Sequence, residues 1–249
     1  MKTILIILFF SVAYASTDET EYLFNKGNEL YQAGKYSEAI EQYESALAAG
    51  YESSQLYYNL GNAYFKTRQI GKCILNYERA KKLHPRDKDV DFNLSMANLY
   101  VVDKIKIPEP NIIFKAISNF KNYYDINTVG WIVVTLYVIT MLSIIIRVLI
   151  RKKIIQDISK MVFYPVLTVF IIALFTFFVK LYDVAKTTEA VIMTDKVAVL
   201  SSPAQDATEL FALHEGVKVQ IEDTSGDWFK ISLADGKVGW ITKTLVEKI

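Results

Sequence analysis

The chain has 249 residues, a formal net charge of +1 and a composition that is 52% hydrophobic. The windows 129–146 and 161–179 contain no charged side chain, which excludes a simple soluble globular protein. Residues 101–186 carry 11 basic and 5 acidic side chains, whereas residues 16–100 and 187–249 are net acidic; this placement of positive charge argues against a nucleic-acid-binding domain with a broad basic face.

Residues 1–15 have the pattern of an export signal peptide. Lys2 precedes an apolar run over residues 3–12, and Ala13 and Ala15 supply the small residues of a cleavage site. The run is too short to span a bilayer comfortably, so we expect cleavage after Ala15; the alternative is an uncleaved anchor. Either way, the mature chain starts outside the cytoplasm.

Residues 20–104 contain an internal repeat of 34 residues. When Gly27 is aligned with Gly61, the equivalent pairs include Asn28/Asn62, Ala39/Cys73, Tyr43/Tyr77 and Ala46/Ala80. A 34-residue period with glycine, small and aromatic residues at these offsets, closed by Pro85, resembles the tetratricopeptide (TPR) repeat. An all-α TPR solenoid is therefore predicted.

The solenoid is predicted to have two repeats, at 20–53 and 54–87, each an antiparallel helix pair. A third helix over 88–103 repeats the first-helix pattern. No second helix is expected to follow it, because Pro108 and Pro110 disfavour helix formation there. We interpret it as a capping helix.

The same register predicts a peptide-binding groove along the first helices of the repeats. Its candidate residues combine an aromatic position with asparagine positions: Phe24, Asn25, Asn28, Tyr58, Asn59, Asn62, Phe92 and Asn93. An asparagine amide both donates and accepts hydrogen bonds, so it can pair with a peptide backbone without reading its sequence. The alternative is that these residues are only framework.

Terminal-carboxylate recognition is not expected in this groove. TPR proteins that bind a terminal carboxylate carry Lys or Arg on this face. The corresponding positions here include Phe24 and Asp89. The expected ligand is therefore an extended peptide rather than an acidic chain end.

The middle of the chain is predicted to anchor it in a membrane. Residues 111–124 predict an amphipathic juxtamembrane helix, which either lies in the membrane interface or packs on the TPR end. Two transmembrane helices are predicted at 129–149 and 161–179, each with the roughly 20 residues that a crossing needs. The absence of carboxylates and histidine from both spans argues against transport by this chain alone.

The connector between the spans predicts the topology. Residues 147–160 hold five basic side chains and one acidic side chain. The positive-inside rule therefore places the loop 150–160 in the cytoplasm. Both flanking domains then lie outside, in agreement with the signal peptide.

Residues 188–249 contain five short β-rich runs separated by turn residues, which predict a small closed barrel. The segments 213–219 and 226–241 resemble a bacterial SH3 (SH3b) domain. That resemblance implies an all-β SH3-like barrel with an aromatic groove for a peptide or a cell-wall stem peptide. Trp228 and Trp240 are the candidate groove residues; the alternative is that they pack the barrel.

No catalytic, metal or cofactor site is predicted. Cys73, the single cysteine, occupies a position that needs a small residue between helices. His214 precedes Glu215, but no nucleophile of a familiar pattern accompanies them. We therefore expect a protein that is not an enzyme and needs no cofactor.

The order of signal peptide, two TPR units, two spans and SH3b domain resembles the BatE-like proteins of the Bat aerotolerance systems. The resemblance implies von Willebrand A-domain membrane proteins and a MoxR-type ATPase as partners, at the periplasmic face of a bacterial inner membrane. The expected function is a non-enzymatic scaffold that serves tolerance of oxidative or envelope stress. The alternative is a sensor or tether that binds peptidoglycan through the SH3b domain.

Overall fold

The computed structural model describes residues 19–105, 124, 126–150, 152–186 and 188–249, which fall into two units. One unit joins residues 19–105 with residues 188–249, and the other holds the described residues between them. The predicted order of a helical TPR-like region, two long apolar helices and a C-terminal antiparallel sheet is confirmed. The signal peptide expected at 1–15, and all of the juxtamembrane helix expected at 111–124 except Tyr124, lie outside the described residues.

Five helices form the TPR-like region: α1 (19–32), α2 (Tyr36–Ala48), α3 (Ser54–Lys66), α4 (Ile70–Leu83) and α5 (Lys88–Asn98). Polar side chains fix two of the helix starts, because the first N–H groups of a helix lack acceptors within the helix. Ser53 accepts a hydrogen bond from the Leu56 N–H, and Asp87 accepts from the Asp89 and Val90 N–H groups. These caps explain why α3 and α5 begin where they do.

Glycine allows each helix pair to pack closely. A Cβ atom added at Gly61 of α3 would lie 2.7 Å from the ring of Tyr77 in α4, and Gly27 meets Tyr43 in the same way. Both tyrosines are almost fully buried, and Ala39, Ala46, Cys73 and Ala80 are inaccessible to solvent beside them. The small residues of the 34-residue register therefore make room for the aromatic rings.

The capping helix is shorter than predicted. It ends at Asn98, not at residue 103, and the chain continues without helix to residue 105. Val101 is buried in this segment, and the Asp103 carboxylate accepts a hydrogen bond from the backbone of His214 in the sheet. Contacts with the sheet thus replace the last helical turn that the sequence indicated.

The second unit contains α6 (Ile126–Leu149) and α7 (Lys153–Lys186), both long and apolar enough to cross a membrane by length and composition. The two helices contact each other through polar groups as well as apolar ones. The hydroxyls of Ser143 and Ser159 lie 3.1 Å apart, and the Arg147 guanidinium lies 4.7 Å from the centre of the Phe163 ring. Because α7 starts at Lys153, most of the predicted loop 150–160 is helical.

Seven antiparallel strands form the C-terminal sheet: β1 (Thr188–Ile192), β2 (Lys196–Leu200), β3 (Glu209–His214), β4 (Lys218–Ser225), β5 (Trp228–Ser232), β6 (Val238–Thr242) and β7 (Val246–Lys248). Their spatial order is β3-β2-β6-β5-β4-β1-β7. The edge strands β3 and β7 do not pair with each other, so the predicted closed barrel is wrong. Strands β3 and β7 are also additional to the five runs that the sequence indicated.

Helix α4 contacts the β7 end of the sheet. The Arg79 side chain donates to the carbonyl of Lys248 at 2.7 Å, and the Lys82 ammonium donates to the carbonyl of Ile249 at 2.8 Å. A sheet edge can be protected by covering it with a helix as well as by pairing it with a strand. The helical region and the sheet also share one cluster of buried apolar residues.

Candidate peptide-binding groove and tryptophan face

Two equivalent hydrogen-bonded sets line the first helices of the repeats. The Tyr43 hydroxyl and the Asn59 amide both donate to the Asn28 side-chain oxygen, each at 2.8 Å. One repeat further on, the pattern recurs with residues numbered 34 higher. The Tyr77 hydroxyl donates to the Asn62 oxygen at 2.6 Å, and the Asn93 amide donates to it at 2.9 Å. We call Asn28, Asn59, Asn62 and Asn93 the asparagine ladder.

The ladder leaves polar groups available to a ligand. Because the Oδ1 atoms of Asn28 and Asn62 each accept two hydrogen bonds, their Nδ2 groups point away from these partners. Within the described ranges, neither Nδ2 group donates to the protein, and the Oδ1 atoms of Asn59 and Asn93 accept nothing. Each rung therefore offers one donor and one acceptor, which is the pair that a peptide group requires.

Buried tyrosines hold the ladder in this orientation. Burial raises the pKa of the Tyr43 and Tyr77 phenols well above their ordinary value of 10.0. Both phenols therefore remain protonated donors at neutral pH. The sequence register pairs these tyrosines only with each other; their constant offset of 15 residues from Asn28 and Asn62 is the signal that relates them to the asparagines.

A cavity of about 410 Å³ lies in front of three ladder residues, Asn28, Asn59 and Asn62. Its lining contains no charged side chain among the described residues and consists of Asn28, Tyr31, Gln32, Tyr43, Asn59 and Asn62. A terminal carboxylate would find no cationic partner in this lining. The neutral lining is consistent with the peptide chemistry expected from the sequence.

The three aromatic groove positions have different surroundings. Phe24 packs on Tyr43 and Tyr51 with ring centres 6.2 and 5.9 Å apart, and Tyr58 packs 5.9 Å from Tyr77. Phe92 is 64% exposed. No second helix follows α5 in the described chain before residue 106, so Phe92 lacks the aromatic partner that its equivalents have.

The remaining candidates divide in the same way. The Tyr58 hydroxyl accepts a hydrogen bond from the Asn93 amide at 2.9 Å and so belongs to the second rung. Asn25 is exposed and lies outside the ladder. The apolar side chains of Phe92, Met96 and Leu99 are exposed along α5. On α5 the candidate groove therefore combines the ladder residue Asn93 with exposed apolar side chains.

The two tryptophans lie on the outward side of the sheet. Along β5 and β6, the buried residues Phe229, Ile231 and Ile241 alternate with the half-buried Trp228 and Trp240. Alternate residues of a strand point to opposite faces, so both rings lie on the side away from the core. We call this side of β5 and β6 the tryptophan face.

The strand register makes the two tryptophans neighbours. Trp240 pairs with Lys230 and Trp228 pairs with Thr242, which places the two tryptophans diagonally across β5 and β6. Such diagonal neighbours are about 7–8 Å apart, within reach of large aromatic side chains. Leu200 of β2 also pairs with Trp240 and extends the apolar part of this face.

Comparison with protein families finds two kinds of module in the chain. Residues 27–67 match a TPR repeat, residues 54–87 match a tetratricopeptide repeat, and residues 195–247 match a bacterial SH3 domain. TPR repeats bind protein partners, and bacterial SH3 domains can bind peptidoglycan. Both are interaction modules rather than catalytic ones.

One solved structure similar to the chain is the second TPR domain of Spaghetti (RPAP3) bound to the HSP90 peptide SRMEEVD. The two chains are 22% identical, with a TM-score of 0.33, over 35% of this chain and 82% of that chain. No curated protein matches the chain.

Proposed function

We propose that this chain is a membrane-anchored, non-enzymatic scaffold that presents its TPR and SH3b modules at the periplasmic face of a bacterial inner membrane. The asparagine ladder carries this proposal. It repeats an oriented donor and acceptor on successive TPR units, and it faces an uncharged cavity. Such a surface binds an extended polypeptide through its backbone.

The contacts between α4 and the sheet support the proposed topology. Residues 71 and 215 share a hydrogen bond, and this contact between the TPR and SH3b modules supports a placement of both on one side of the membrane. The helices α6 and α7 lie between the two modules in the sequence. If both helices cross the membrane, the chain forms a hairpin with both modules on the same side. The basic connector then faces the cytoplasm, and the modules face the periplasm.

The partners proposed for this scaffold are von Willebrand A-domain membrane proteins and a MoxR-type ATPase system. The support is the resemblance of the module order to BatE-like proteins of the Bat aerotolerance systems. In such an assembly the groove would hold an extended segment of a partner. The process served would be tolerance of oxidative or envelope stress.

Crosslinked co-purification from solubilised membranes tests the groove. We expect the double variant Asn28→Ala/Asn62→Ala to reduce partner recovery by about tenfold, equivalent to about 1.4 kcal/mol of binding free energy. Gln55→Ala is the matched control, because Gln55 is an exposed amide side chain of α3 that is not among the candidate groove residues. Equal recovery with the wild-type chain and the double variant would exclude the ladder as the binding site, and recovery of the chain alone would count against a scaffold.

Alkaline phosphatase fusions test the topology. The enzyme is expected to be active when fused after Ile249 and inactive when fused after Lys152, between α6 and α7. Activity at Lys152 would place the basic connector outside the cytoplasm and reverse the proposed orientation.

The tryptophan face favours a second candidate function, in which the SH3b module binds peptidoglycan. Two neighbouring half-buried indoles on an outward sheet surface can contact a stem peptide or a sugar ring. The full chain in detergent should pellet with purified sacculi, and Trp228→Ala/Trp240→Ala should abolish this. Val238→Ala, an exposed position on the same side of β6, is the control; absence of pelleting by the wild-type chain removes this function.

A further inference from the structure

The outer face of α4 receives a turn of the sheet. The N–H of Gly71, in the first turn of α4, donates to the Glu215 carboxylate at 2.7 Å. The N-cap residue of this helix, Gln69, makes no capping hydrogen bond with its side chain. A carboxylate at a helix N-terminus satisfies a free N–H and interacts favourably with the helix dipole. The sheet therefore supplies to α4 the cap that its own sequence lacks.

Glycine allows this turn to approach the helices closely. Gly216 has a φ of +88°, and a Cβ atom there would lie 2.9 Å from the side chains of both Ile74 and Val101. A larger residue would strain the turn and collide with branched side chains in the shared core. Gly71 faces Glu215 with similarly little space.

A second contact joins the chain after α5 to the end of β3. The Asp103 carboxylate accepts a hydrogen bond from the His214 N–H at 2.7 Å, and the His214 ring nitrogen Nδ1 lies 3.2 Å from both of its oxygens. This segment leaves the helical path to make the contact. The sequence assigns no catalytic role to the neighbouring residues His214 and Glu215. In the structure both belong to an interface between the TPR and SH3b modules.

A third contact joins α4 to strands β4 and β7 through ion pairs, and one of these extends to β1. Arg79 pairs with Glu247 at 3.0 Å, and Lys218 lies 3.0 Å from Glu78 and 2.8 Å from Glu189. Burial lowers the pKa of Lys218, but the carboxylates of Glu78 and Glu189 outweigh it, and the net pKa is raised above 10.5. The contribution of this lysine is therefore complete below pH 10.5 and is lost as the pH rises through the raised value.

The interface and the candidate groove use different surfaces. The asparagine ladder lies on α1, α3 and α5, whereas the interface uses α4 and residues 101–103. The tryptophan face lies on β5 and β6, and the interface uses the turn 214–216 and residues of β1, β4 and β7. The contacts between the modules therefore cover neither the asparagine ladder nor the tryptophan face.

We propose that the TPR and SH3b modules are permanently docked through α4, the turn 214–216 and β7, so that the asparagine ladder and the tryptophan face belong to one rigid recognition head. The fitting partner is a protein that places one extended segment along the uncharged asparagine ladder and contacts the tryptophan face at a fixed separation. Because the second contact then costs little additional rotational freedom, it strengthens the first. The partner clause rests on the proposed function, whereas the docking is independent of it.

Distance measurement between spin labels on the full chain in detergent tests the docking. Labels at Ala48→Cys in α2 and Ala234→Cys in the β5–β6 turn, both exposed positions, are placed in a Cys73→Ala background. We expect a single narrow distance distribution that persists from pH 7 to pH 10. A broad distribution in the otherwise unchanged chain would overturn the proposal.

Interface variants identify what holds the modules together. Gly216→Val and the double variant Arg79→Glu/Lys218→Glu should each broaden the distance distribution. The single variant Arg79→Glu should broaden it less, and adding Glu247→Arg to that variant should narrow the distribution again in part, because the ion pair is restored with reversed charges. Lys35→Glu, which reverses an exposed ion pair with Glu38 outside the interface, is the matched control. If the charge reversals leave the distribution narrow, these contacts do not hold the modules, and the proposal is wrong even where Gly216→Val misfolds the turn.

Partner recovery separates this proposal from the proposed function. Arg79→Glu/Lys218→Glu alters neither the ladder nor the tryptophan face, so reduced recovery would reflect loss of the fixed geometry. Narrow distances without any partner would refute the scaffold and leave the docking intact. Unchanged recovery with separated modules would show that a partner does not read both surfaces together.

Discussion

The two helices of the second repeat, α3 and α4, meet opposite surroundings. On α3 the Asn62 amide points into an open groove with a donor unused by the described protein. On α4 the outward residues Glu78, Arg79 and Lys82 all contact the sheet. The difference teaches that one surface of this repeat has its polar groups satisfied by the sheet, whereas the other keeps hydrogen-bonding groups that the described residues do not use.

The packing between α3 and α4 joins these two surfaces, and its disruption has the largest expected effect. Gly61→Ala places a methyl group against the Tyr77 ring, and overpacking of this kind costs about 1–3 kcal/mol. Urea unfolding followed by circular dichroism measures the loss. Ser95→Ala, at the equivalent position of α5, should change stability by less than about 0.5 kcal/mol; equal effects would contradict the close helix approach.

The groove side is tested by Tyr77→Phe, which removes the hydroxyl that donates to Asn62. We expect a loss of about 1 kcal/mol in the free energy of unfolding, the ordinary value of one hydrogen bond. Partner recovery should fall as well, because the Asn62 amide is then held only by Asn93. Tyr22→Phe, at an exposed position, is the control; unchanged recovery with Tyr77→Phe would show that amide orientation is irrelevant to binding.

The outer side is tested by Glu215→Gln, which keeps an oxygen acceptor for the Gly71 N–H and removes only the charge. The charge at a helix N-terminus is worth about 0.3–1 kcal/mol, and we expect destabilisation in this range. Glu222→Gln, at an exposed position in β4, should have no measurable effect. Equal changes in stability for both variants would show that the interaction of the Glu215 charge with the α4 dipole does not contribute to docking.

The smallest expected effect concerns the thiol between α3 and α4. Burial raises the pKa of the Cys73 thiol to about 12, so little reactive thiolate exists at pH 8. Maleimide labelling should be negligible in the folded chain and rapid in urea. Ala48→Cys, which adds an exposed thiol, provides the positive control, and rapid labelling of native Cys73 would contradict its burial.

Much of the helical region was predictable, because residues with the same packing role recur at a fixed spacing in the two repeats. The offset of 34 residues relates Gly27 to Gly61 and Asn28 to Asn62 through the order of residues alone. It does not show that Tyr43 and Tyr77 donate to the asparagines, since a tyrosine at a packing position and one in a polar network look identical in sequence. The ladder required the orientation of side chains.

The sheet was less predictable for a physical reason. Alternation along β5 and β6 is local and indicates two strands, but it does not decide which face the core covers, so Trp228 and Trp240 remained ambiguous. Strand β7 pairs with β1, more than fifty positions earlier in the chain, whereas β3 pairs with β2 across the turn 201–208. The expected barrel closure is wrong because β3 and β7 stay unpaired at opposite edges, and α4 contacts the β7 end.

The sequence by itself determined the order of modules, the repeat register, the two apolar helices and the charge of their connector, because each is encoded in neighbouring or regularly spaced residues. Only the tertiary structure decided that the sheet caps α4. Gly71 and Glu215 are 144 positions apart, and each is an unremarkable residue in its own segment. Their contact depends on backbone geometry at Gly216 and on the space beside Ile74, which no pattern in the chain reports.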